Sequence, residues 1–308
     1  MLYPIKFSPI LKERIWGGTR LKNDLGKKYP QGVEKCGESW ELSGVEGNVS
    51  VVSNGYLSGN TLEELIEVYM GDLVGEKVYN DFGHEFPLLI KLIDTSDFLS
   101  LQVHPDDEMA KRLHHAYGKS EFWYVLDGEP DSTIITGFTE ELTKEQFQDI
   151  VKSGDIAKFL KHELAHCDNF YYIPSGQVHA LGKGIMLVEI QQTSDITYRI
   201  YDWDRVDDKG VGRELHLDLA ADAINFEAKP FPSQNLPIEL NQIQSLGSYP
   251  YFSTNRLVID KVVERDFFKI DSFRIYICIE GEVDLNYFNG EDVTMIKGEL
   301  VLIPASIS

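Results

Sequence analysis

Four side chains carry the donor types of a divalent-cation site. Gln102 and His104 stand two apart in Phe98-Leu99-Ser100-Leu101-Gln102-Val103-His104-Pro105-Asp106-Asp107. That stretch alternates, so Leu99, Leu101 and Val103 share one face of a strand and Ser100, Gln102 and His104 share the other. A half-solvated antiparallel strand alternates in the same way, so the pair gains meaning only from further donors. Glu121 begins the strand-like run after Gly118-Lys119-Ser120, and His179 lies in Ile173-Pro174-Ser175-Gly176-Gln177-Val178-His179-Ala180-Leu181. One amide oxygen, two imidazoles and one carboxylate are a workable ligand set for a cation such as zinc.

The elements that must position these donors follow from local pattern. Pro105 ends the Gln102/His104 strand and is expected to open a helix to about Tyr117, with Asp106, Asp107 and Glu108 at its positive end and His114 and His115 on its surface. Phe86–Asp94 reads as an apolar strand with one charge, Lys91, which either snorkels or serves a site. Gly184–Gln191 is a strand whose Glu189 shares a face with Ile185 and Leu187. Burial there would raise its pKa toward the range of a general base; the alternative is a structural carboxylate paired with a lysine or arginine, Arg199 among them.

Asn60–Met70 reads as a capped amphipathic helix with Leu62, Leu65, Ile66, Tyr69 and Met70 inward. From Glu121 to Gly137 two strands meet at Leu126-Asp127-Gly128-Glu129-Pro130. Thr139 to Glu163 is expected to be helical, with a capping box at Thr143-Lys144-Glu145-Gln146. Leu215–Ile224 is a further helix, and Lys229–Pro237, with three prolines, reads as a linker. Arg14-Ile15-Trp16-Gly17-Gly18 is a tight turn whose glycines serve either the turn itself or a close backbone approach to a ligand.

The chain has 308 residues, 43% hydrophobic and 26% charged, with a net charge of −21. That charge argues against nucleic acid or an anionic membrane as partner, though local cations can still draw in a small anion. Cys36, Cys167 and Cys278 are odd in number and widely spaced, so no disulfide framework is expected and a reducing cytoplasm is the default. The start lacks a charged segment followed by an apolar core, and no apolar run is long enough to span a membrane. No obligate protein partner is evident.

A weak internal echo follows the linker. Tyr124-Val125-Leu126-Asp127-Gly128-Glu129 matches Ile277-Cys278-Ile279-Glu280-Gly281-Glu282, and Ile173-Pro174-Ser175 matches Ile303-Pro304-Ala305. The spacing leaves room for a helical insertion only in the first copy. Arg274 stands where the first copy has Glu121, and a counterpart of His179 is missing. Two domains are therefore expected: residues 1–235, a metal-binding catalytic domain with helical insertions, and residues 236–308, a C-terminal β-domain without metal.

Strand, Gly-Glu turn, strand and Pro-Ser-Gly-x-x-His is the pattern of the cupin, or jelly-roll, β-barrel, which gathers distant ligands at one mouth. Taken with Lys119-Ser120-Glu121-Phe122-Trp123-Tyr124 and Thr197-Tyr198-Arg199-Ile200-Tyr201-Asp202-Trp203-Asp204-Arg205, the set closely resembles the type I mannose-6-phosphate isomerases, in their short bacterial form. The resemblance spans roughly residues 85–205, with a weaker match at Arg14–Gly18.

It implies a mainly β fold with a degenerate second cupin-like domain. It implies one Zn2+ per chain on Gln102, His104, Glu121 and His179, an essential Arg199, substrate contacts near Lys119, and interconversion of mannose 6-phosphate and fructose 6-phosphate. Chemically, Arg199 and a metal would stabilise an enediol, and Glu189 would move the proton. The alternative for Arg199 is an ion pair with Asp202 or Asp204. Alternatives for the whole are another metal-dependent cupin enzyme, an oxygenase or sugar epimerase, or a non-catalytic sugar-phosphate-binding protein.

Overall fold

The computed structural model describes residues 2–206, 209–287 and 291–307. The chain divides into two compact units, neither continuous in sequence: residues 8–50 with 87–233, and residues 1–7, 51–86 and 234–308. The chain passes from one unit to the other between Ser233 and Gln234. The early segments nevertheless group with the C-terminal strands rather than with the metal-ligand region. The reason is strand pairing: Ile5 and Lys6 lie opposite Leu302 and Val301 in an antiparallel ladder.

In the first unit six strands form one sheet, in the order Phe170–Ile173, Glu121–Gly128, Ile185–Gln192, Leu88–Asp94, Glu38–Ser43 and Ile10–Lys12. Ala180–Leu181, Thr133–Phe138 and Leu160–Leu164 form a second sheet, and Tyr198–Tyr201 pairs with Leu101–Val103. All these pairings are antiparallel. Every residue of Leu88–Asp94 is buried. Trp123, Val125, Tyr171, Ile173 and Leu187 of the large sheet meet Ile134 and Leu181 of the small one in a single apolar cluster. Two facing sheets with one core are the cupin arrangement, and helices enter between strands.

The strands either side of Leu126–Pro130 belong to different sheets, so the turn there is a crossing and not a hairpin. The region expected to be helical from Thr139 to Glu163 is helical only over Lys144–Ser153. The Thr143/Gln146 capping box forms, and Gly154, at φ 77°, ends the helix. Leu160–Leu164 is a strand because its backbone finds a partner in Thr133–Phe138, a pairing that helical periodicity cannot reveal.

The helix after Pro105 runs Asp107–His114, with Asp106 as its cap accepting from the Met109 amide at 2.8 Å. The helix capped by Thr61 runs Leu62–Val74. Met70 there adopts φ 46° and is exposed, so it leaves the inward stripe. Gly17 packs so tightly against Cys36 and Gly37 that a Cβ would lie 2.5 Å from the Gly37 nitrogen. Its role is chain-to-chain approach.

No helix among the described residues is long and apolar enough to cross a membrane. Phe147 anchors the Lys144–Ser153 helix in a cluster with Leu101, Val103, Ile135 and Tyr198. Phe147→Ala is expected to cost about 3–5 kcal/mol of unfolding free energy by chemical denaturation, because it opens a cavity in that cluster.

Candidate metal centre

Three pairings bring the donors together. Gln102 and His179 exchange reciprocal backbone hydrogen bonds, N to O at 3.0 Å each way. Residues so opposed in an antiparallel pair direct side chains to the same side. Glu121 lies between Ile173 and Gln191 in the large sheet. The amide of Gly176 donates to the His104 carbonyl at 2.9 Å, tying the Pro-Ser-Gly turn to the end of the Gln102 strand.

The resulting cluster is buried. His104, Glu121 and His179 are 1%, 0% and 0% exposed, and one ligand atom from each falls within 4.8 Å of the others. His179 Nε2 is 3.0 Å and His104 Nε2 3.5 Å from Glu121 Oε1. The Gln102 amide lies 3.2 Å from His179 Nε2; turning that planar group exchanges its nitrogen for its oxygen at the same place. Lys119 Nζ sits 2.8 Å from Glu121 Oε2 and 3.0 Å from His104 Nε2.

Electrostatics prepare these groups for a cation. His104 Nδ1 donates to the Ile196 carbonyl at 2.9 Å, and His179 Nδ1 to the Gln177 carbonyl at 2.8 Å. A carbonyl only accepts, so each Nδ1 carries the hydrogen and each Nε2 presents a lone pair inward. Burial, with the Lys119 ammonium beside it, pushes His104 down to about 3, so its ring is neutral. Burial disfavours the Glu121 anion, but the Lys119 charge outweighs it and holds the carboxyl well below its ordinary value. Both Glu121 oxygens are buried with no hydrogen-bond partner. An ionised carboxylate without hydrogen bonds, flanked by two imidazole lone pairs, fits a divalent ion in donor chemistry and in charge.

Arg199 lies opposite Gln102 in the strand ladder. Its Nη1 donates to the Glu214 carbonyl at 2.7 Å, and its Nε is buried without a partner. It pairs with neither expected aspartate: Asp202 is held by Arg205, at 2.5 Å, and by Arg213, while Asp204 accepts from the Tyr201 hydroxyl.

Glu189 is engaged elsewhere. Lys91 Nζ reaches one of its oxygens at 2.6 Å and Trp123 Nε1 the other at 2.9 Å. Its partner is thus Lys91 and not Arg199, and both oxygens are occupied. Lys91 does not snorkel; it is 6% exposed and also donates to Gln191 at 2.5 Å. Sequence reasoning left these two lone charges in apolar strands unconnected. The signal was present, since two opposite charges buried in one sheet must meet. The carbonyls of Ile196 and Gln177 were also missed, and backbone acceptors leave no trace in residue type.

A cupin with a buried His/Glu/His cation centre is the class that fold and site define. Comparisons with known proteins narrow it. Residues 5–145 match the family described as phosphomannose isomerase type I, catalytic domain. A mannose-6-phosphate isomerase of Streptococcus mutans is 34% identical over 100% of this chain and 94% of its own length. One of Bacillus subtilis is 41% identical over 74% of this chain and 70% of its own. The crystal structure of a Bacillus subtilis mannose 6-phosphate isomerase superposes with a TM-score of 0.87 at 34% identity, covering 99% of this chain and 95% of that one. The chain belongs to the type I mannose-6-phosphate isomerase family.

His179→Ala removes one imidazole donor from the cluster while leaving its backbone bonds to Gln102 in place. Elemental analysis of the purified variant is expected to show loss of stoichiometric divalent metal. A second expectation concerns pH. Burial opposes the charge on Glu38, but Lys91, Arg14 and Trp40 outweigh it and hold its carboxyl below the ordinary value of 4.5. The unfolded chain therefore takes up this proton at higher pH than the folded one. The stability it contributes is complete above the unfolded value and is lost as pH falls through the folded one. Acid-unfolding curves of Glu38→Gln should be flatter than wild type below about pH 4.5.

Proposed function

We propose that this chain interconverts mannose 6-phosphate and fructose 6-phosphate through an enediol, at one zinc ion held by Gln102, His104, Glu121 and His179. The observation that carries the reading is the buried Glu121 carboxylate, unpaired by hydrogen bonds and faced by two oriented imidazoles. A divalent ion held there would supply Lewis acidity for the isomerisation.

The chain's own groups do the rest. Arg199 holds a permanent charge in the ligand layer, fixed through Glu214, with an Nε–H left to meet negative charge as it develops on the substrate. Lys119 contacts the substrate through its phosphate or a hydroxyl, and meanwhile keeps Glu121 ionised. Glu189, with both oxygens taken, acts by holding Lys91 beneath the site. The three cysteines are free thiols, which suits the reducing cytoplasm.

A coupled assay of fructose 6-phosphate formation from mannose 6-phosphate tests the activity; its absence in metal-loaded protein overturns the reading. Arg199→Ala should lower kcat roughly a hundred- to thousandfold with little change in KM and with metal retained. Arg199→Lys should recover only part of that loss, because an ammonium cannot reproduce the planar fork.

A further inference from the structure

The second β-unit repeats the ladder that carries Glu121, with the charge reversed. In the first unit Glu121 lies directly opposite Ile173, the residue before Pro174. In the second, Arg274 lies directly opposite Ile303, the residue before Pro304. Gly128 and Gly281 follow the two at the same spacing. The weak sequence echo is thus matched by strand register, and Arg274 occupies the position of the first unit's central carboxylate.

The side to which Arg274 points follows from its neighbours. Ile303 and Val301 belong to an apolar cluster with Cys278, Met295 and Ile307, and Tyr276 packs on it. Arg274 pairs with Ile303 and Tyr276 with Val301. Opposed residues share a face of the sheet, so the guanidinium lies on the interior side. Its Nη2 donates to the carbonyls of Pro304, at 2.9 Å, and Ile307. The ring of Phe267 covers one face of the group, 4.3 Å from Cζ to the centroid.

Nε and Nη1 are buried and have no acceptor. No carboxylate forms an ion pair with Arg274 among the described residues, and the nearby charge acting on Tyr276 is a second cation, Arg265. Arginine does not shed its proton under such conditions. A fixed charge with two buried, idle donors is costly unless something accepts from them.

We propose that the second β-unit binds a small oxyanion, phosphate or carboxylate in chemistry, on Arg274 at the position equivalent to Glu121. An oxyanion accepts from several guanidinium N–H groups at once while Phe267 stacks on the plane. The same arginine repels a cation, so this unit and the metal-binding unit take ligands of opposite charge from one repeated framework. The inference stands apart from the isomerase reading, since no residue in it belongs to the metal centre.

The test titrates inorganic phosphate, and separately acetate, into full-length metal-loaded wild type and Arg274→Gln by calorimetry. Loss of one binding event in the variant, or weakening by roughly ten- to hundredfold, with kcat for mannose 6-phosphate unchanged, supports the site. The anion whose binding is lost names the ligand class. Identical titrations for both proteins with both anions overturn it. Arg274→Lys keeps the charge and should bind with intermediate affinity. If Arg274→Gln does not fold, wild-type crystals grown in selenate decide: anomalous density beside Nε or Nη1 supports the site, and its absence there overturns it.

Discussion

The carboxylate of Glu121 is the constraint on which the first unit depends. It is fully buried, ionised, and accepts no hydrogen bond. Left alone, such a group would take up a proton or disrupt the core. The sheet instead surrounds it with partners: Lys119 from the preceding residues, His179 from the turn after Pro174, and His104 from the strand beyond. Backbone pairing places these residues, and the Nδ1 bonds to the Ile196 and Gln177 carbonyls orient the two imidazoles.

A second buried polar network acts on the first through Lys91. Lys91 serves Glu189 and Gln191, and Glu38 accepts from Trp40 and Arg14. These groups sit on adjacent strands at paired positions, Glu189 against Lys91 and Lys91 against Trp40. A core containing this many charges is tolerated only because nearly every donor meets an acceptor. The network supplies Lys91, a further cation acting on Glu121. Charge balance therefore extends through two layers, in a chain whose overall charge of −21 would otherwise keep an anionic sugar phosphate at a distance.

The two units solve the same topological problem with opposite polarity. Each places a charged residue opposite an isoleucine that precedes a proline, on the inner face of an antiparallel pair. In the first unit the charge is negative and gathers imidazoles. In the second it is positive, and it fastens the Pro304–Ile307 segment by donating to the carbonyls of Pro304 and Ile307.

What the sequence determined alone is what short spacing controls. Alternation put Gln102 and His104 on one strand face. Asn60–Met70 was legible as a capped helix and Thr143/Gln146 as a helix start, and capping boxes form at Thr61/Glu64 and at Thr143/Gln146. The ligand types and the family motifs were legible because chemistry limits which residues can hold a cation. Only the tertiary structure decided which distant groups meet. It made Leu160–Leu164 a strand by giving it an edge to pair with, turned Met70 outward, drew residues 1–7 and 51–86 into the C-terminal unit, and gave Glu189 to Lys91 while leaving Arg199 unpaired by Asp202. Local propensity is a sum over neighbours in the chain. Strand pairing and buried charge depend on partners about a hundred residues away, Lys91 and Glu189 among them, and one sequence read in order does not specify which partner arrives.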